Sequence, residues 1–525
     1  MKVLVLDGVS EKGVAILKEP GFDVDVNNDK LTEDQLIEII GQYDAMIVRS
    51  ATKVTAKVIE NATNMKVIGR AGVGVDNIDV EAATNRGIIV VNAPDGNTIA
   101  AAEHTLALML ALSRNVPQAN ENLKKGKWMR KEYVGVELRN KILGVIGLGR
   151  IGTAVAKRAQ GFEMETIGYD PYLSEERAQA IGVKLMSLED VIKNADFLTV
   201  HLPLTKETRY LIGSKSIEMM KDGVRIINVA RGGVIDEKAL YEALKAGKVA
   251  GAAIDVFETE PTTESPLFEL DNVVVTPHLG ASTEEAQINV ALDVAHEIVS
   301  ILQGEMAKNA VNMPSIPADV LVAVQPYLTL AEKLGKFIGQ LANDMDAVEI
   351  IYSGEVGQLA TGPLTTTLLK GLLSTVTDES VNFVNAPIVA KSRGIKIAET
   401  KTSETEDYAN LITVKLKGGK CEKSVAGTLF QNNDARIVLI DGYRVDAIPE
   451  GYMIVAPHID KPKIIGRVGT LIGEHDINIA TMQVGRKTIG GKAVMVLGVD
   501  APVPEETLAE IAEVDGILEV KFVSL

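Results

Sequence analysis

The chain has 525 residues, 46% hydrophobic and 24% charged, with a net charge of −17 and a single cysteine. That length predicts several domains, and the acidity argues against nucleic acid or an anionic membrane as a general partner. The lone Cys421 excludes an intrachain disulfide framework and fits a reducing compartment. No apolar run reaches the ~18 residues a membrane span needs. The start, MKVLVLDG, reads as a strand without signal-peptide features, so a cytoplasmic location is expected.

Residues 1–100 alternate short apolar strands with helical stretches. Lys2–Leu6, Ala45–Val48, Met65–Ile68 and Ile88–Val91 read as strands and Ser10–Glu19 as a helix. This alternation predicts an open parallel sheet with flanking helices. Two strand ends carry Arg49-Ser50 and Arg70, the latter followed by Ala71-Gly72-Val73-Gly74-Val75-Asp76. Ligands of open α/β sheets sit at such carboxyl ends, and glycines there let backbone N–H groups face an anion. Asn97–Leu112 is an apolar, Ala-rich helix expected to cross to the next domain. Its His104 reads as a polar group packed near an interface. Trp128-Met129-Arg130-Lys131 is a basic, aromatic break, suited either to a subunit contact or to a lid over substrate.

Residues 141–152, KILGVIGLGRIG, are a buried strand followed by G-x-G-x-x-G at Gly147, Gly149 and Gly152, then a helix through Gln160. The glycines permit a tight turn, close approach to a pyrophosphate and close helix–strand packing, and the helix N-terminus favours phosphate. The next apolar segment ends at Asp170, 18 residues past Gly152, where a carboxylate can accept the ribose hydroxyls. A carboxylate there repels a 2′-phosphate, so NAD is expected over NADP. Phe197–Val200, Arg225–Val229, Ala252–Val256 and Val273–Thr276 are further strands. They end at His201-Leu202-Pro203, at Ala230-Arg231-Gly232-Gly233, near Asp255, and at Pro277-His278-Leu279-Gly280. Four strands therefore deliver polar groups to one edge.

Thr283–Gln303 is one amphipathic helix expected to return to the first domain. Asn309–Pro317 has the Pro/Asn content of a boundary. Residues 318–450 read only as an α+β domain. Residues 452–525 read β-α-β-β-α-β, the ferredoxin-like order, with the last strand at Ile517–Val523.

A nicotinamide site needs an acid/base for the substrate hydroxyl and a cation for its carboxylate. His278 suits the first and Arg231 the second. Glu258 or Glu260 can pair with the imidazole and favour its charged form. Gly280 and Ala281 leave room around His278 and rank it above His201. No spacing of His, Cys or acidic residues suggests a metal, and no activated serine motif is present.

GVIGLGRIG at 144–152, NVARGGVIDE at 228–237, DVFETEP at 255–261 and TPHLGAST at 276–283 stand in the order of a known family's signatures. The whole chain resembles the D-isomer-specific 2-hydroxyacid dehydrogenases in their long form. The resemblance implies two Rossmann-like doubly wound parallel-sheet domains, then an α+β domain and a ferredoxin-like ACT domain. A discontinuous substrate domain (1–98 and 284–312) would flank an NAD domain (99–283), with an allosteric substrate-binding-type domain at 315–450 and the ACT domain at 452–525. LKGLLS at 369–374 and VNFVNAP at 381–387 carry the likeness of the third.

The implied activity is NAD-dependent oxidation of 3-phospho-D-glycerate, the first step toward serine, with 2-oxoglutarate reduction as a side activity. By the same resemblance Arg231 orients substrate, Glu260 pairs with the histidine and His278 is the acid/base. NAD would meet Gly147, Gly149, Arg150, Ile151, Gly152, Asp170, Leu202, Val229, Ala230, Arg231, Asp255, His278, Leu279, Gly280 and Ala281. Arg49, Ser50, Val73, Gly74 and Asn97 would hold the acid, with Arg130 and Lys131 reaching the phosphate from a neighbouring subunit. His458, Asp460 and Asn478 match a serine effector site. Where the family often has Arg-Pro-Gly, this chain has Lys461-Pro462-Lys463. A homodimer or homotetramer is implied. Another 2-hydroxyacid dehydrogenase and a non-catalytic NADH-sensing scaffold stand as the competing readings.

Overall fold

The computed structural model describes residues 1–525 apart from 306, 314–317, 343, 378–380, 406 and 420, so part of the expected boundary at Asn309–Pro317 lies outside the described residues. The fold is α/β overall, built on four sheets. The chain divides into two compact units: Met1–Lys53, Val67–Ile78 and Val91–Asn309 form one, and Val54–Lys66, Asp79–Val90 and Ala310–Leu525 the other.

The first sheet contains β1 (Lys2–Leu6), β2 (Asp23–Asn27), β3 (Ala45–Val48), β4 (Val67–Arg70) and β5 (Ile89–Asn92), in the order β2-β1-β3-β4-β5. β1 pairs in parallel with β2 and β3, and β3 with β4. β2, which the sequence did not announce, is a half-exposed edge strand of sequence DVDVN. The fourth strand begins two residues later than expected, and its last residue is Arg70. The helix Glu284–Leu302 lies against the helix Glu11–Lys18 and against β4. The fit is close because Gly69 has no side chain: a Cβ there would lie 2.4 Å from Val294.

The second sheet contains β6 (Ile142–Ile146), β7 (Glu165–Tyr169), β8 (Lys184–Leu185), β9 (Phe197–Val200), β10 (Val224–Asn228), β11 (Val249–Ile254) and β12 (Val273–Val275). The order β12-β11-β10-β9-β6-β7-β8 is parallel throughout. It reverses direction beside β6, the switch point at which such sheets bind ligands. Strands buried on both faces explain the unbroken apolar runs. Ile146, Leu198, Ile226 and Ala252 enter one core, and Val145, Phe197, Ile227 and Ala253 the other.

In the second unit a mixed sheet contains β13 (Ala347–Gly354), β14 (Lys396–Thr402), β15 (Asn410–Gly418), β16 (Cys421–Phe430), β17 (Asp434–Ile440) and β18 (Tyr443–Ala447). The final sheet, ordered β20-β21-β19-β22, contains β19 (Tyr452–Ile459), β20 (Ile479–Arg486), β21 (Lys492–Val499) and β22 (Lys521–Ser524). The strand expected at Ile517–Val523 is shorter at its start, and Ile517 makes only an isolated bridge to His458. Ile454, Ala456, Met495 and Leu497 pack on the helices Ile464–Glu474 and Glu505–Ala512. Met453, Val455, Val494, Val496 and Val523 share one continuous core with residues of the mixed-sheet domain, including Leu330, Leu372 and Ile437.

Candidate functional site

The glycine fingerprint folds as its chemistry requires. Gly147, at the end of β6, has φ +91°, which only glycine adopts freely. A Cβ on Gly152 would lie 1.9 Å from the Gly147 carbonyl oxygen, so that glycine is needed for helix–strand contact, whereas a Cβ on Gly149 would meet nothing within 4 Å. Gly149 caps the helix Arg150–Gln160 without a side-chain partner, leaving open space before free N–H groups. That open cradle fits a pyrophosphate. Asp170 follows β7 and accepts the Leu148 N–H (2.9 Å) and the Tyr172 N–H (2.9 Å), one on each oxygen. Its remaining lone pairs suit ribose hydroxyls. Ile151 and Leu202 are half-buried near this loop, and exposed Arg150 is ion-paired through Nε to Asp95 (2.6 Å).

At the other end of the same strand edge, His278 follows β12 in a left-handed conformation, φ +56°. Its Nδ1 lies 2.6 Å from Glu260 Oε2. The second Glu260 oxygen accepts the Phe257 N–H (2.9 Å), which fixes the carboxylate. Burial alone would raise the Glu260 carboxyl, but the bonds from His278 and Phe257 outweigh it, and the group is held below the ordinary glutamate range. Glu258 points elsewhere, to Tyr210 Oη (3.0 Å) and the Glu237 N–H (3.2 Å). His201 contacts Thr199 Oγ1 (3.0 Å), and burial pushes its imidazole down to about 4, so it is neutral.

Arg231 lies just past β10. Its Nε donates to Asp76 Oδ2 (3.0 Å) and its Nη1 to the Ala230 carbonyl (2.7 Å), leaving the Nη2 N–H groups for a ligand. Asn228 braces this turn, accepting the Ala230 N–H and donating to the Arg231 carbonyl. Arg49, Ser50 and Arg70 face His278 and Glu260 across a cleft of about 570 Å³, with Phe257, Phe268, Pro277 and Ala281 among its walls. Phe257 and Phe268 meet edge to face, with centroids 5.5 Å apart.

Arg70, singled out in the sequence but not placed among the substrate residues, is the most telling group. Its Nε is buried without a partner. Burial, then the nearby Arg231 and Arg49 cations, lower its guanidinium to about 10. Its Nη1 donates to the Ala71 carbonyl (3.1 Å), and a half-buried guanidinium with one free buried N–H beside two other cations suits an anion.

Val73 and Gly74 line the loop between Arg70 and Asp76, and Asn92 Nδ2 holds the Val73 carbonyl (2.5 Å). Asn97 caps the crossing helix Thr98–Ser113 with its Oδ1 buried and unpartnered. Val229, Ala230, Leu279 and Gly280 cluster at the ends of β10 and β12; Val229 and Gly280 are buried and a Cβ on Gly280 would touch Val229. Asp255 is fully buried, with its oxygens on Thr276, the Leu279 and Gly280 N–H groups and His104. Arg130 and Lys131 lie on an exposed turn and do not line the cleft.

The three effector candidates do not converge. His458 is buried and its strand position pairs with Ala493. Asp460, just beyond, accepts from Arg486 (2.8 Å). Asn478, bound to Asp500 (2.7 Å), precedes Ile479, which pairs with Val499 at the other end of β21. The two ends are roughly 20 Å apart at the usual strand rise. Lys463 caps the helix Ile464–Glu474 in the left-handed region, φ +77°, where a glycine would sit without strain.

Among the described residues, no group of three or more His, Cys, Asp or Glu side chains is placed to hold a metal, and no helix is long and apolar enough to cross a membrane.

Comparison with known proteins matches three stretches of the chain to family profiles. The family profile for the D-isomer specific 2-hydroxyacid dehydrogenase NAD binding domain matches residues 106–280. Those for the D-3-phosphoglycerate dehydrogenase intervening domain and the ACT domain match 323–441 and 453–516. The chain is 51% identical to D-3-phosphoglycerate dehydrogenase of Methanocaldococcus jannaschii, over the whole of both chains. It is 45% identical to that of Bacillus subtilis, over the whole of this chain and 99% of the relative. Among solved structures, apo D-lactate dehydrogenase from Escherichia coli (28% identical, TM-score 0.53) covers 59% of this chain and 100% of its own. A glyoxylate reductase from Paecilomyes thermophila (30%, TM-score 0.55) covers 59% of this chain and 98% of its own.

Proposed function

Because the chain belongs to the D-3-phosphoglycerate dehydrogenases within the D-isomer-specific 2-hydroxyacid dehydrogenase family, we propose that it oxidises the 2-hydroxyl of 3-phospho-D-glycerate to 3-phosphooxypyruvate, the first step of serine synthesis. Residues 147–152 and Asp170 would hold NAD, which would supply the hydride acceptor for C2. His278 takes the hydroxyl proton on Nε2, because its Nδ1 is committed to Glu260. Glu260 stabilises the imidazolium that results. Arg231 holds the carboxylate and polarises the developing carbonyl oxygen.

The observation that carries the substrate reading is Arg70, half-buried, its Nε buried and unpartnered, beside Arg49 and Arg231. Three cations exceed what one carboxylate needs and suit a carboxylate plus a phosphate. NADH formation with a panel of 2-hydroxyacids tests this: the phosphorylated acid should be preferred, and turnover only with unphosphorylated acids would overturn the assignment. 2-Oxoglutarate with NADH, run in the reverse direction, measures the side activity. His278→Ala should lower turnover by about 10²-fold, the usual scale of general acid–base help.

The ACT domain fits small-molecule regulation, with serine as the effector. His458 and Asp460 at one end of the sheet and Asn478 at the other would meet around one ligand only if two copies paired about a two-fold axis. Exposed Trp128 and Val134, beside Arg130 and Lys131, support a further contact between copies at the nucleotide domain. Titrating serine against turnover should show inhibition; a flat response would retire serine as the effector.

A further inference from the structure

We propose that His104 is a positioning residue for the hydride-transfer site, acting through Asp255 on the backbone of the segment that carries His278. The inference deepens the dehydrogenase reading and rests on it.

The Asp255 side chain is fully buried. A buried carboxylate must be saturated with donors, and these donors therefore fix whatever carries them. Thr276 Oγ1 donates at 2.5 Å, the Leu279 N–H at 2.7 Å and the Gly280 N–H at 2.9 Å. The His278 N–H itself donates to the Asp255 carbonyl at 2.8 Å. Asp255 thus grips the chain on both sides of His278. That grip matters because His278 stands at φ +56°, a conformation a side-chain-bearing residue keeps only where its surroundings over-determine it.

Three of the carboxylate's donors come from the gripped segment and would move with it. Among the described residues, His104 is the donor that comes from elsewhere in the chain. Its Nε2 lies 3.3 Å from Asp255 Oδ1 and 3.2 Å from Thr276 Oγ1. The carboxylate can only accept, and the Thr276 proton is already given to it. Nε2 therefore carries a proton and donates. His104 fixes the carboxylate against a different element, the crossing helix Thr98–Ser113. The same helix is capped by Asn97, whose Oδ1 is buried and unpartnered.

Without His104, the Asp255 carboxylate can turn, the Leu279 and Gly280 N–H groups lose their fixed partner, and the imidazole loses its aim. The loss should fall on the chemical step and spare the fingerprint at residues 147–152. The test uses the full-length chain with His104→Leu and His104→Gln, each also in a His278→Ala background. His104→Leu should lower kcat by about 10-fold or more, the scale on which a small misplacement of a reacting group acts, while NADH binding read by fluorescence stays near wild type. His104→Gln, whose amide can still donate, should recover most of the rate. In the His278→Ala background His104→Leu should cost nothing further, because no acid/base remains to be aimed. If the Leu variant fails a thermal melt, His104→Asn, too short to reach, replaces it against Gln. An unchanged kcat in an active wild-type background overturns the proposal, and so does an equal loss in both backgrounds. A wild-type chain that turns over no 2-hydroxyacid overturns the dehydrogenase reading first, and this inference with it.

Discussion

Each of the two chemistry-bearing side chains has a carboxylate of its own. Glu260 holds His278, and Asp76 holds Arg231 through Nε. The first pairing has a consequence in acid. Glu260 is depressed in the folded chain, so its contribution to stability is fully present above the ordinary glutamate value and is lost as pH falls through the lower, folded value. Glu260→Gln keeps the shape and removes the charge. Its melting temperature should lie below wild type near neutrality, and the gap should close as the buffer is taken into the acid range. A gap that stays constant or widens in acid would mean that the charge does not support the fold. The same variant should lower turnover without altering NADH binding if Glu260 stabilises the imidazolium as proposed, since it pairs with His278 Nδ1.

At the level of elements, the site is the row of loops at the carboxyl ends of β4, β10, β11 and β12, and glycines let these loops approach one another. Two of them separate structural from functional need. A Cβ on Gly232 would lie 1.8 Å from the Phe257 carbonyl oxygen, so the backbone itself would have to move. A Cβ on Gly74 would lie 1.7 Å from Arg231 Nη2 and 2.7 Å from Asp76 Oδ2, both ends of movable side chains. Gly74→Ala should therefore melt close to wild type yet lose about tenfold or more in kcat/KM by displacing Arg231, as misplaced groups do; a kinetically silent Gly74→Ala would show that Arg231 does not hold the substrate there. The strand ends were readable in the sequence because apolar runs, glycines and polar terminators repeat in order, and His278 and Arg231 were singled out on that basis, whereas Glu258 and Glu260 stayed open until the family resemblance chose Glu260. The pairings were not readable. Arg231–Asp76 and His104–Asp255 join residues 155 and 151 positions apart, and no local pattern links them. β2 escaped because DVDVN is an edge strand with little to bury. What the sequence does not express for Arg70 is that its Nε is buried without a partner.

The whole molecule is less modular than its sequence suggests. Composition and order separate residues 315–450 from 452–525, and each has its own sheet. Yet one face of the ACT sheet, through Met453, Val455, Val494, Val496 and Val523, belongs to the same core as Leu330, Leu372 and Ile437. Gln340 adds a pair of hydrogen bonds to Ser524 of the edge strand β22, and Lys423 reaches Glu519 at 2.8 Å. The same unit takes in Asp79–Val90: Asn382 Nδ2 donates to the Gly87 carbonyl (2.5 Å), and Asn312 bonds both the Ile88 carbonyl and the Val90 N–H. Burying apolar surface in common makes elements open together, whereas a polar linker lets them open apart. Hydrogen exchange on the intact chain should therefore find the amides of β15 and β16 and those of β19 and β21 opening with the same free energy and the same dependence on denaturant. Val496→Ala, which removes methyl groups from the shared face, should cost about 1–3 kcal/mol as such core truncations do. It should lower the opening energy of β15 and β16 as much as that of its own strand. Were only the ACT strands to weaken, the two domains would be separate folding units and an effector on the ACT sheet could shift them apart. If both weaken together, an effector on the ACT sheet can act only by moving the pair as one body, together with the segment Asp79–Val90 that is bonded to it.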